Sequence, residues 1–381
     1  MAGKRVLVLG GGAPNLTLMS GALLALHDRG LSFDAISMSG AGAVVGLSYL
    51  APKDLTPTEA LRNTINFGVS DAIYSLLPIN YKVFFKSGPL ADAFRDVWRR
   101  LPPIQRAEHQ YRMSPAEKLN ADLLLLAGAM MTPSDLNVFD RGICAPVPFI
   151  ENVVDFARLK QIVSPRTFLN AYRIDTHEIV EFEGPDIDVR HFRAAFAFPY
   201  LYAPYEIDGG LYYEGAEFTG LNLIRLAVDP RYLHIPYVHN HPTDNAYRFV
   251  IFDVLRKDVI HPARHLIDAY SQSIIFPSVG NAEKEIAIFQ EWVRTGDKRF
   301  IPPDEWELRA TFDVAQESLV RAGAGAKVIP DVKTYMVDFP VPLEEQPYIL
   351  DWSRSNLERL FDIGYESGRI FLEERPDILD P

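Results

Sequence analysis

Cysteine is almost missing from this chain: Cys144 is the only one in 381 residues. A lone thiol excludes an internal disulfide framework and suits a reducing compartment. Long apolar runs are missing too. None reaches the roughly 18 residues of a membrane span, and Leu123–Met131 reads as part of a core helix. Behind Lys4-Arg5 only Val6–Leu9 precede the first glycines, too short for a signal peptide, so the expected location is cytoplasmic. Basic residues are outnumbered, 38 against 50 acidic ones, for a net charge of −12. That balance argues against an electrostatic grip on nucleic acid or on an anionic membrane. The phosphate-loop lysine with its Ser/Thr is absent, and Asn15 stands where a dinucleotide loop needs its third glycine. His234, His239 and His241, with Asp244 nearby, lack a repeating ligand spacing, and His261 and His265 have no third partner. No metal and no cofactor is expected.

What is present is an ordinary globular composition, 48% hydrophobic and 23% charged, in a chain long enough for a large core. It is organised around residues 6–50. Val6–Leu9 reads as a parallel strand buried on both faces. Gly10-Gly11-Gly12 then allows a sharp turn with uncovered N–H groups. Leu16, Met19, Leu23 and Leu26 fall at helical spacing, and Gly30 ends that helix. Phe33–Ile36 is a second strand, and Ser37-Met38-Ser39-Gly40-Ala41-Gly42 leads from it into the apolar helix 43–47. A serine among small residues where a strand breaks into a helix is the setting of a nucleophile elbow. There, helix-terminal N–H groups favour a developing oxyanion. The competing reading is that the small residues only let a helix pack closely on a sheet.

Further along, Thr56-Pro57-Thr58-Glu59 caps a helix. Residues 65–105 are irregular and aromatic (Phe67, Tyr74, Tyr81, Phe84, Phe85, Phe94, Trp98), as a pocket wall or a satellite core would be. Residues 115–131 form a helix, 151–160 contain a short one, and 167–172 and 178–182 are two strands. A short helix of small and aromatic residues at 190–198 leads to Tyr205–Leu211, in which Asp208-Gly209-Gly210 is a tight turn, most simply a hairpin. Residues 249–255 and 333–340 read as strands, and 262–275, 281–294 and 353–371 as helices, with Ser353 a candidate cap.

The glycine loop, the elbow at Ser39 and the Asp208-Gly209-Gly210 turn resemble the patatin-like phospholipases in order and spacing, over about residues 5–230. Phe249–Leu255 and Asp351–Tyr365 resemble a bacterial subgroup with a longer C-terminal part. The resemblance implies an α/β fold, a three-layer α/β/α sandwich around a mostly parallel sheet. It also implies a core over 1–260 and a helical extension over 261–381 with one strand returning to the sheet. The implied chemistry is cleavage of lipid acyl esters through a Ser–Asp dyad and an acyl-enzyme. Ser39 is the implied nucleophile and Asp208 its base, followed by the Gly209-Gly210 turn. Gly10, Gly11, Gly12 and Gly40 are the implied oxyanion donors. The implied partner is an acyl ester or phospholipid, met in transient contact with a membrane surface.

Three departures accompany the resemblance. Ser37 and Ala41 stand where the family has the flanking glycines of Gly-x-Ser-x-Gly, at a cost of about 1–3 kcal/mol each if φ must be positive. Pro14 and Asn15 replace a basic residue and a glycine after the glycine loop. Finally, Gly40-Ala41-Gly42 permits a register in which the turn is shifted by one residue. Two classes of function stay open: an acyl hydrolase (or an acyltransferase using the same dyad), and a non-catalytic relative that binds an acyl ligand or a partner.

Overall fold

The computed structural model describes residues 3–12, 15–229, 232–233, 246–255, 260, 262–263, 266–295, 298–300, 332–341 and 351–379. The histidines of 234–241, Asp244, His261, His265 and Pro14 lie outside the described residues.

The first strand, β1 (Lys4–Leu9), is flanked by parallel β2 (Ala35–Met38) and β9 (Tyr247–Phe252), with β10 (Val332–Met336) parallel beyond β9. On the other side β2 pairs in parallel with β4 (Arg166–Arg173). The sheet then turns antiparallel through β5 (Glu178–Glu183) and the hairpin β7 (Tyr205–Ile207) and β8 (Gly210–Glu214), giving the order β10-β9-β1-β2-β4-β8-β7 with β5 on β4. A small two-stranded sheet joins β3 (Gly142–Cys144) to β6 (Tyr200–Tyr202). The architecture is a mostly parallel mixed sheet flanked by helices.

Period-two alternation sends successive residues of β1 to opposite faces. Leu7 and Leu9 join one core with helix α1 (Leu16–Asp28), helix α2 (Ala41–Leu50) and the C-terminal helix Arg354–Glu374. Val6 and Val8 join the other, with the helix Leu223–Val228 and Phe289 and Trp292 of the long helix Leu266–Thr295.

Most elements lie where the residue pattern puts them, with exceptions. The segment 65–105, read as irregular, contains the helices Asp71–Tyr74 and Pro89–Trp98 and the start of Pro102–Glu108, and the strand read at 333–340 ends at Met336. The second strand begins at Ala35 and reaches Met38, because its ladder continues to the elbow, where the Ser39 N–H donates to the Leu9 carbonyl at 3.0 Å. The helices expected at 262–275 and 281–294 are one helix running through Pro277. Its buried face (Val279, Ala282, Phe289, Trp292) keeps helical spacing beyond the proline. Ser353 is at the N-cap position of the C-terminal helix but its side chain caps nothing. Asp351 instead accepts the Ser353 N–H at 2.9 Å.

The aromatic segment 65–105 is tied to this helix. Val69 and the 352–354 backbone exchange hydrogen bonds, Val69 N–H to Trp352 O and Arg354 N–H to Val69 O, both at 2.8 Å. Beside them Asp122, fully buried on the helix Pro115–Met131, accepts from Ser70, Gln110, Lys82 and Arg354.

Candidate functional site

Parallel pairing of β1 and β2 brings the glycine loop and the elbow to one edge of the sheet, as expected. The Gly42 N–H donates to the Gly10 carbonyl at 3.1 Å. The Gly10 N–H is taken, donating to Phe252 O at 3.1 Å, so it corrects one expected oxyanion donor. Gly11, Gly12 and Gly40 keep N–H groups with no hydrogen-bond partner among the described residues.

The tip of the elbow is Gly40, not Ser39. Gly40 has φ 48° and ψ −124°, a left-handed conformation that strains any residue with a Cβ. Ser39, one residue earlier, is 2% exposed and donates its Oγ–H to the Gly220 carbonyl. It is not among the described residues that line the neighbouring cavity.

Asp208 is not brought to the elbow. It sits at the tip of the β7–β8 hairpin with φ 49°, followed by Gly209 at φ 82°. Its side chain is 82% exposed and lies 3.7 Å from Arg190. The Asp-Gly signal here is hairpin chemistry, in which both turn residues need positive φ.

The carboxylate that does reach the elbow is Glu214, at the opposite end of β8, about 13 Å of strand from Gly210. Register explains why. Met38 pairs with Leu169 and Ala171 pairs with Glu214, so the end of β8 is level with the elbow. Glu214 is 7% exposed, and a Cβ built on Gly40 would overlap its Oε1. The same oxygen is 3.9 Å from where a Cβ on Gly11 would be. Its carboxylate makes no hydrogen bond to a described residue, and Glu214 lines the cavity. Burial first, and Glu217 second, push its pKa well above the usual carboxylate range. The sequence signal for it was an acidic residue ending a strand before Gly215-Ala216, less conspicuous than Asp-Gly-Gly.

The cavity beside the glycine loop has a volume of about 180 Å³. Its lining is rich in aromatics: Phe67 and Phe84 from the segment 65–105, with Phe149, Phe196, Phe198 and Trp352. From the segment 65–105, Phe67, Val83 and Phe84 line the cavity, while Val69, Ile73 and Tyr81 form a separate small core, so each of its two readings holds for part of it. The lining also includes Glu217, Asp253 and Ser278, and none of the described lining residues is basic. Burial raises the Glu217 carboxyl to about 7, against a 3.4 Å hydrogen bond from Ser278. The loop over the elbow is fixed from outside. Glu285 of the long helix accepts the Leu221 and Leu223 N–H groups at 3.0 and 2.7 Å, and Asn170 donates to Thr219 O at 3.1 Å.

Among the described residues no group of three or more His, Cys, Asp and Glu has the arrangement of a metal site. No helix among them is long and apolar enough to cross a membrane.

The profile of the Patatin-like phospholipase family matches residues 7–247. The chain belongs to this family. Membership supports lipid acyl hydrolysis as the general class of activity of this patatin-like chain, with lipids as its substrates. No curated protein matches it. Among solved structures it is similar to the crystal structure of VipD from Legionella pneumophila, at 13% identity and a TM-score of 0.36. That comparison covers 98% of this chain and 67% of the other.

Proposed function

We propose that this chain holds the acyl part of a lipid ester in the aromatic cavity and hydrolyses the ester with Glu214 as base. The observation that carries the reading is the buried Glu214 carboxylate between the glycine loop and the elbow, which makes no hydrogen bond to a described residue. A cavity walled by Phe and Trp suits an alkyl chain, because burying each methylene gains about 0.8 kcal/mol. An ester carbonyl at the cavity mouth meets the free N–H groups of Gly11 and Gly12, which stabilise the charge that develops on its oxygen. A carboxylate with a raised pKa is, in its ionised form, a stronger proton acceptor than an exposed one. Glu214 takes the role that the resemblance implied for Asp208.

Comparing Glu214→Gln with Asp208→Asn for release of p-nitrophenol from p-nitrophenyl octanoate tests this. Glu214→Gln is expected to lower the rate at least about a hundredfold, and Asp208→Asn to leave it within about twofold. The opposite ranking sinks the assignment. A second reading, acyl-ligand binding without turnover, is favoured by one observation: the Ser39 hydroxyl at the elbow is turned to the Gly220 carbonyl. Displacement of a fluorescent fatty acid by octanoate, with no ester cleaved by the unaltered protein, would decide for it.

A further inference from the structure

We infer that residue 40 stands where this elbow would carry an attacking side chain, that Glu214 fills the space left empty there, and that the attacking group on an ester in this cavity is water. The inference rests on the acyl-ester reading above for its substrate, and on the elbow geometry alone for the missing nucleophile. A nucleophile elbow exposes the side chain of its most strained residue, at the sharp strand-to-helix turn. In this chain that conformation belongs to Gly40. Ser39 is the last residue held by the β2 ladder, through its N–H to Leu9 O, and its hydroxyl is bound to Gly220. Ser39 is therefore a structural serine that ties the elbow to the 219–223 loop.

Glu214 and Gly40 are complementary. The direction in which a residue-40 side chain would project is the one occupied by Glu214 Oε1. Ala216 Cβ lies 3.4 Å from the same point, so it too limits the space there. A shorter acid at 214 would leave room for a hydroxymethyl group at 40, and glycine at 40 leaves room for the longer acid. The pair thus reads as one exchange of volume between two neighbouring positions.

The chemistry follows without a covalent intermediate. The Glu214 carboxylate accepts a proton from water as the water oxygen bonds to the carbonyl carbon. The carbonyl electron pair moves onto oxygen, facing the Gly11 and Gly12 N–H groups. Collapse breaks the bond to the alkoxy oxygen, which takes the proton back from Glu214. One ester and one water become one acid and one alcohol.

Incubation with an octyl fluorophosphonate, followed by intact mass and peptide mapping, tests the missing nucleophile without needing turnover. The unaltered protein is expected to gain no phosphonyl group. The double variant Gly40→Ser/Glu214→Asp is expected to gain one, on residue 40. Labelling of Ser39 in the unaltered protein overturns the inference, and so does a folded double variant that stays unlabelled. If the double variant does not fold, Ser39→Ala decides by the rate of p-nitrophenyl octanoate hydrolysis and by quenched-reaction mass. An unchanged rate with no octanoyl adduct sustains the inference. A hundredfold loss, or an adduct on Ser39 in the unaltered protein, overturns it. Absence of all hydrolysis sinks the proposed activity instead and leaves the labelling result to judge the elbow.

Discussion

Glu181, 7% exposed on β5, receives the Asn222 amide on one carboxylate oxygen and has no hydrogen-bond partner on the other. Burial raises its pKa from 4.5 to about 8. The folded chain therefore binds this proton more tightly than the unfolded chain, and stability falls as pH rises through that interval. The contribution is complete below about 4.5 and lost above about 8. Glu217 and Glu285, both raised to about 7, act in the same direction. Melting temperature is expected to fall between pH 5 and 8.5, and to fall less in Glu181→Gln. Equal slopes would exclude Glu181 as a source. Individual residues were also where sequence reading reached least far. Small residues around 37–42 marked the elbow, yet which of them occupies its tip depends on one backbone torsion. Asp208 and Glu214 both adjoin small residues, and only the β4–β8 register tells which is level with the elbow.

Elements were more legible, because periodicity and caps act locally. The capping boxes at Thr56 and Ser114 start helices where their sequences say so. What periodicity could not reveal is which elements touch. Helix α1 crosses the C-terminal helix so closely that a Cβ on Gly21 would overlap Phe361 O, and one on Gly364 would overlap Leu18 O. Gly21→Ala is expected to cost stability, although Ala favours an exposed helix by about 1 kcal/mol. Overpacking costs about 1–3 kcal/mol, and here the obstacle is backbone, which cannot rotate away. A rise in the urea midpoint would refute the close crossing. The second hidden contact is the buried ion network. Asp122 neutralises Lys82 at 3.1 Å and Arg354 at 3.0 Å. Its carboxyl is held below the usual range by these cations and by Ser70 and Gln110, against burial. Asp122→Ala leaves two cations without their carboxylate, and an expected loss of about 3–5 kcal/mol is readable by urea denaturation. Replacing Arg354 as well should recover part of it.

At the scale of the whole molecule, the division into a core and an extension is what contacts across residue 260 bear on. Strand β10 completes the sheet beside β9, the C-terminal helix covers α1, and Tyr335 donates to Asp377 at 2.6 Å. Glu285 holds the backbone on which the Gly220 carbonyl meets Ser39. Trp292 and Trp352 belong to the later part of the chain yet are buried in cores that include β1. A chain ending at residue 260 would uncover Leu18, Ala22 and Ala25 of α1, which pack on the C-terminal helix, and Phe249 and Phe252 of β9, which pack on Phe289 and Phe339. It is expected to be insoluble or unfolded, and the full chain to unfold in one transition. Tryptophan fluorescence and far-UV circular dichroism should then give the same urea midpoint, since each reports the same loss of structure. Two separated midpoints would mean that the parts fold independently. In that case Glu285→Gln should lower the second midpoint alone, whereas in a single cooperative unit it moves the only one there is.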